Sequence, residues 1–183
     1  MPATCRGDLN GHPVANDRLF VAVWPDDSVR DLLAALPRPA EDGVRWSRPD
    51  HWHVTLRFIG EADAGEAERR LRGRSFAPAT LRLGPTVRRL GSRLIVVPVA
   101  GADRLAADVR AATDGIGEPP DRRFRGHLTL GRTQRGARSR LVGTPFEATM
   151  TVTEIALVES ELSSHGATYR TIATVPTVTA AST

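Results

Sequence analysis

The sequence predicts an α+β fold built as two halves that face each other across a groove, and three observations carry that reading. Stretches with strand and helix periodicity follow one another as strand, helix, strand, helix, strands, helix, strands. In the run from His51 to Gly60, alternation puts His51, His53, Thr55 and Arg57 on one face and Trp52, Val54, Leu56 and Phe58 on the other. The device then recurs at Gly126-His127-Leu128-Thr129-Leu130-Gly131, with histidine and threonine sharing a face and the two leucines opposite. Each half contributes one such strand, and the division falls near residue 90.

Taken in order, residues 1–17 mix Gly, Pro, Asp and Asn without periodicity and read as a flexible leader. Arg18 to Trp24 is apolar on both faces, as a strand covered on both sides would be. Pro25-Asp26-Asp27 starts a helix whose stripe is Val29, Leu32, Leu33 and Leu36 and which stops at Pro37. Val44 to Ser47 forms a short strand that leads into the first motif. Glu61 to Arg74 returns to helical spacing, acids early and arginines late. Strands follow at 79–83, 87–90 and 94–99, then a helix at 103–113 with Leu105, Val109 and Ala112 inward. Gly115 to Arg125 is a loop, Arg132 to Gly143 a mobile lip, and strands at 146–158 and 168–175 close the domain. The expected organisation is one bilobal domain over 18–176 with a frayed tail at 177–183.

At 183 residues and 40% hydrophobic content the chain can bury a single shared core. The lone Cys5 cannot make an internal disulfide, no apolar run is long enough for a bilayer, and no signal-peptide pattern is present. A cytoplasmic monomer with no membrane contact is the expectation. All 25 basic residues are arginine against 21 acids, and the guanidinium is the side chain whose planar fork best matches phosphate oxygens. Partners bearing phosphate are therefore permitted.

Two histidines near neutral pKa can hold one neutral and one protonated ring together, which is what concerted acid-base chemistry requires. If His53 and His127 face each other, one takes a proton from an attacking water and the other gives one to the leaving oxygen. Thr55 and Thr129, on the same faces, are placed to donate hydrogen bonds to a charged oxygen between them. A strained cyclic phosphate ester needs no metal for this, and no carboxylate and histidine cluster has metal-ligand spacing. His51 and His53 offer two ligands from one face but lack an evident third. Arg132 would point away from the groove on an unbroken strand, yet Gly131 permits a bulge that swings it back. Arg57, on the face of His53 and Thr55, is a second-rank candidate for phosphate or backbone contact, while His12 and His165 read as surface residues.

These residues together resemble the two-histidine phosphoesterases, and within them the RNA 2′,3′-cyclic phosphodiesterases, also called 2′-5′ RNA ligases. The matching stretches are Arg18 to Ala22, His53 to Gly60, Phe124 to Arg132 and Glu159-Ser160-Glu161-Leu162 with Gly166 and Tyr169, in the family's order over residues 18 to 175. The resemblance implies a bilobal α+β fold of two antiparallel-rich sheets with outer helices, pseudo-two-fold about a central cleft. It implies hydrolysis of RNA or nucleotide 2′,3′-cyclic phosphates to 2′-phosphates, with no cofactor and no metal. Its catalytic histidines match His53 and His127, its phosphate-binding hydroxyls Thr55 and Thr129, and its later arginine Arg132. Gly126 stands where the family often has proline, which would loosen the second motif strand, and Trp52 is bulkier than usual.

Two alternatives share the residues: 2′-5′ joining of RNA ends or opening of a small cyclic-phosphate metabolite at the same site, and an RNA- or nucleotide-binding module without turnover. Arginines at 122, 123, 125, 135, 138 and 140 extend the basic surface and would favour longer RNA in a salt-dependent way.

Overall fold

The computed structural model describes residues 17–119, 123–163 and 166–178. The leader up to residue 16, the tail from 179 onward, His12, Arg122 and His165 lie outside the described residues. The elements run β1 (Asp17–Val23), α1 (Asp27–Ala34), β2 (Val44–Trp46), β3 (Val54–Ala62), α2 (Ala64–Arg72), β4 (Ala79–Leu83) and β5 (Arg88–Leu90). They continue with β6 (Leu94–Ala100), α3 (Asp103–Ala112), β7 (His127–Thr133), β8 (Ala148–Val152), β9 (Glu154–Ser163) and β10 (Gly166–Pro176).

The strands pair antiparallel in the order β10-β9-β1-β3-β7-β6-β4-β8, with β2 added beside β7 and β5 beside β6. This is one hydrogen-bonded sheet of two halves, each of four strands, which meet where β3 touches β7. The two-fold character expected from the motifs is therefore visible in the strand order. The halves are not contiguous in sequence, however. The C-terminal β9 and β10 join β1 and β3, while β4, from before residue 90, joins the half that holds β7.

Leu19, Val21, Val23, Val54, Leu56 and Leu128 face the main core, where they meet Val29 and Leu33 of α1, Ala67 and Leu71 of α2, and Leu105 and Val109 of α3. Asp26 caps α1 by accepting from Val29 N at 2.9 Å, and Asp63 does the same for α2 from Glu66 N. The opposite face of β1 and β9 carries a second small cluster of Phe20, Ala22, Ala156 and Val158, with Trp24 and Tyr169 against it. The two-sided burial read from Arg18 to Trp24 thus has two different causes, a core and a cleft floor.

The helix stripe is narrower than the sequence indicates. Leu32 is 49% exposed, and Leu36 is buried from beyond the end of α1. The stretch 132–143 begins inside β7 and carries anchors: Leu141 is buried, Gln134 N donates to Gly43 O at 2.7 Å, and Arg89 donates to Ala137 O at 2.6 Å. Thr177 and Val178, assigned to the tail, pair with Phe76.

Two bulges decide which side chains reach the cleft. Against β1, Val21 pairs with Arg57 and Ala22 with Thr55, so Leu56 is an extra residue in β3. Against β6, Ile95 pairs with Gly131 and Val96 with Thr129, so Leu130 is extra in β7. The two residues of a bulge that oppose a single partner point to roughly the same side, and alternation restarts one position late. Arg57 consequently joins Leu56 on the helix side. Its guanidinium, 4% exposed, donates to the carbonyls of Arg110, Thr113 and Ile116 at 3.1, 2.7 and 2.8 Å and to Thr113 Oγ1 at 2.8 Å. These carbonyls end α3 and begin the loop after it, where helix acceptors lack partners and a cation is favoured. Arg57→Ala leaves them buried and unsatisfied, so chemical denaturation should show a loss of about 3 kcal/mol or more. A loss below about 1 kcal/mol would contradict this role.

Candidate active site

Among the described residues, one pair, Val54 with Leu128, joins β3 to β7. Both side chains are buried in the core, so their sequence neighbours face the cleft. Counting outward from an antiparallel pair, Thr55 lies toward His127 and His53 toward Thr129. The pair thus sets these four residues side by side on the cleft face, each half-buried. The two histidines are diagonal neighbours across that one pair.

Both imidazoles are tethered the same way. His53 Nδ1 lies 2.7 Å from His51 O, and His127 Nδ1 lies 2.7 Å from Arg125 O. A carbonyl oxygen only accepts, so each ring carries its hydrogen on Nδ1 and leaves Nε2 as the working nitrogen. The carbonyls come from the main chain just ahead of each strand. For His53 that is the 3-10 turn Pro49–His51, so His51 to His53 precede β3 rather than lie in it.

The two rings differ in surroundings. His53 packs beside Phe20 at 4.9 Å, Tyr169 at 5.3 Å and Trp24 at 5.5 Å between ring centroids. Burial in this apolar cage, with smaller contributions from the nearby charges of His51 and His127, pushes its pKa down to about 4 despite the carbonyl hydrogen bond. His53 is therefore neutral in the free protein at ordinary pH. Phe20 and Tyr169 fall in the stretches that carry the family resemblance, but no sequence motif places them or Trp24 beside His53. The apolar second face of Arg18 to Trp24 is the signal that points to Phe20 and Trp24.

Arg132 is exposed, and its register neighbour Leu94 lines the cleft. The bulge at Leu130 returns it to the face of His127 and Thr129, as Gly131 allows. Gly131 itself lies under β2, where a Cβ would come within 2.9 Å of Trp46 Cε3 and 3.0 Å of Arg45 O. Of the two contacts expected of Arg57 the structure shows the one to backbone, and its face is the correction: the equivalent bulge in β3 turns it away from His53 and Thr55 and onto the carbonyls at the end of α3. Gly126 is a second correction. Its carbonyl accepts from Val99 N at 2.9 Å and a Cβ there would come within 2.3 Å of Val99 O, so glycine tightens the approach of β7 to β6. Trp52 is buried in the core with the Arg38 guanidinium 4.7 Å from its ring, a packing role as expected. Among the described residues no three His, Cys, Asp or Glu side chains gather as a metal site, and His51 turns its ring to Tyr169 at 4.7 Å.

Residues 23–87 match the family model described as LigT like phosphoesterase. An Archaeoglobus fulgidus protein named RNA 2′,3′-cyclic phosphodiesterase is 31% identical over 129 residues, 64% of this chain and 73% of its own. The chain belongs to the LigT-like phosphoesterase family. A Methanothermobacter thermautotrophicus relative of the same name is 28% identical over 174 residues, 83% of this chain and 94% of its own. Among solved structures, a Thermus thermophilus protein superposes with TM-score 0.70 at 30% identity, covering 87% of this chain and 97% of that one. LigT of E. coli complexed with 3′-AMP shares the fold, with TM-score 0.72 at 24% identity over 90% of this chain and 99% of its own. The LigT-like fold is thus an antiparallel sheet with helices on one face and the paired motifs on the other. No helix of the described residues is long and apolar enough to cross a membrane.

The cage around His53 has a consequence for stability. Between pH 6.5 and about 4 the unfolded chain binds a proton that the folded chain refuses, so stability falls as pH is lowered through that window. Unfolding free energies of wild type and His53→Gln, from chemical denaturation between pH 7 and pH 4, should diverge by up to about 3 kcal/mol in favour of the variant as pH falls. Parallel pH profiles would contradict a cage that excludes the charged ring.

Proposed function

We propose that this protein hydrolyses the 2′,3′-cyclic phosphate of RNA or nucleotide ends to a 2′-phosphate, without a metal, through His53 and His127. The single observation behind the assignment is the matched pair of Nδ1–H tethers, which frees an Nε2 on each side of the central strand pair. The names of the archaeal relatives point to the same substrate.

The chemistry follows from where protons can go. His53, neutral because of its cage, takes a proton from water through Nε2 as the water oxygen forms its bond to phosphorus. The P–O3′ bond breaks, and His127 Nε2–H gives its proton to O3′. Water has then been added across that bond, leaving a 2′-phosphate and a free 3′-hydroxyl, and proton exchange with solvent resets both rings. The arriving phosphate is anionic, so it raises the proton affinity of His53 during transfer and offsets the effect of burial. Thr55 and Thr129 donate to the two non-bridging oxygens, and Arg132 neutralises the charge that collects on them. Ring strain in the cyclic ester supplies part of the driving force, so no Lewis acid is assigned a step.

Protein incubated with a 2′,3′-cyclic nucleotide in EDTA should release only the 2′-phosphate. His53→Ala and His127→Ala should each lower kcat by about 100-fold to 10,000-fold while the protein stays folded. Absence of turnover on every cyclic nucleotide and oligonucleotide, or full activity in either variant, would contradict the assignment.

A further inference from the structure

Beyond the Val54–Leu128 pair the two motif strands diverge, and the two resulting gaps differ. On the Arg132 side the gap is filled: β2 pairs with β7, Trp46 opposite Gly131, and Ser47 N donates to Leu130 O at 2.8 Å. On the other side it stays open into a cavity of about 830 Å³ that Thr55 and His127 line, that Phe58, Phe124, Arg123 and Arg125 wall, and that reaches across the cleft to Leu94. That is toward the upper end of the roughly 300–1,000 Å³ usual for small-molecule sites and far more than one phosphate fills.

Its lining has a definite chemistry. Among the described residues of its lining, Arg57, Arg110, Arg123 and Arg125 outnumber the one carboxylate, Glu118. Phe58 is 39% exposed and is the aromatic member of the exposed large apolar side chains among the described residues. Both motif strands bulge at the same place, so Phe58 occupies in β3 the position that Arg132 occupies in β7, the first cleft-facing residue after the bulge. The catalytic centre is nearly two-fold, but its flanks are not. An aromatic ring next to arginines is a combination that holds single-stranded nucleic acid by stacking and by phosphate contact with little base selectivity. The Arg57 bonds to the 110–118 segment fix the far wall of the same cavity.

Resting on the hydrolysis set out above, we propose that the Phe58 flank of this cavity, beyond the Thr55 and His127 that hold the reacting phosphate, is a subsite for the nucleotide on the 5′ side of the cyclic end. Its base lies against Phe58, and its linking phosphate lies between Arg123 and Arg125. The preferred substrate is then an RNA end of two or more nucleotides rather than a free cyclic mononucleotide.

The test compares kcat/KM for cytidine 2′,3′-cyclic phosphate with that for a dinucleotide ending in the same cyclic phosphate, at low salt. Wild type should favour the dinucleotide by about 10-fold or more. Arg123→Ala and Phe58→Ala should each reduce that ratio by ~5-fold or more, chiefly through KM, and Phe58→Tyr should restore it. Arg123→Ala should also flatten the salt dependence for the dinucleotide, by a log–log slope of about 0.7. Turnover of both substrates with a ratio near one would overturn the subsite and leave the hydrolysis standing. Turnover of neither would overturn the hydrolysis. Calorimetry with the 3′-phosphorylated dinucleotide and mononucleotide then decides the subsite, tighter dinucleotide binding supporting it and equal binding removing it.

Discussion

Two hydrogen bonds from imidazole to main chain, each 2.7 Å and each spanning two residues, fix the chemistry that the cleft can perform. They set the tautomer of both rings, aim both Nε2 atoms, and do so without any acidic side chain. The backbone ahead of each motif therefore has to leave the strand conformation and present a carbonyl sideways. The 3-10 turn at Pro49–His51 does this for His53, and the approach through Arg125 and Gly126 does it for His127. In the second case the close approach of Gly126 to Val99 holds the carbonyl-bearing segment against β6.

The rest of the fold serves to bring these two segments together and then to separate them. A single strand pair at Val54 and Leu128 is enough contact to set the register, and divergence on either side opens the cleft. The paired bulges at Leu56 and Leu130 then place different residues on equivalent sites. The bulge ends on Arg57 in β3, which stops α3, and on Gly131 in β7, which admits β2. The same backbone device thus stabilises one half by a buried cation and the other by close strand contact.

The faces of the motif strands are legible in the sequence because period-two alternation is a property of the backbone alone, and His53, Thr55, His127 and Thr129 follow it. Arg57 and Phe58 escape that reading because a bulge is defined by the partner strand. Nothing in His53-Val54-Thr55-Leu56-Arg57-Phe58 marks Leu56 as extra until β1 lies beside it. Arg132 is readable because Gly131 is a local sign that alternation can break. The pairing of β9 and β10 with the first half, and of β4 with the second, is hidden for a related reason: crossovers depend on which apolar faces find one another. The apolar second face of β1 is legible as buried, but not as the floor of a cleft that holds one histidine neutral.

The central claim is that both rings carry hydrogen on Nδ1 and offer Nε2 to the phosphorus. Long-range proton–nitrogen correlation spectra of nitrogen-15-labelled protein, recorded where both rings are neutral, read this directly. The account predicts the Nδ1–H tautomer for His53 and His127 alike. An Nε2–H tautomer at either residue would contradict it.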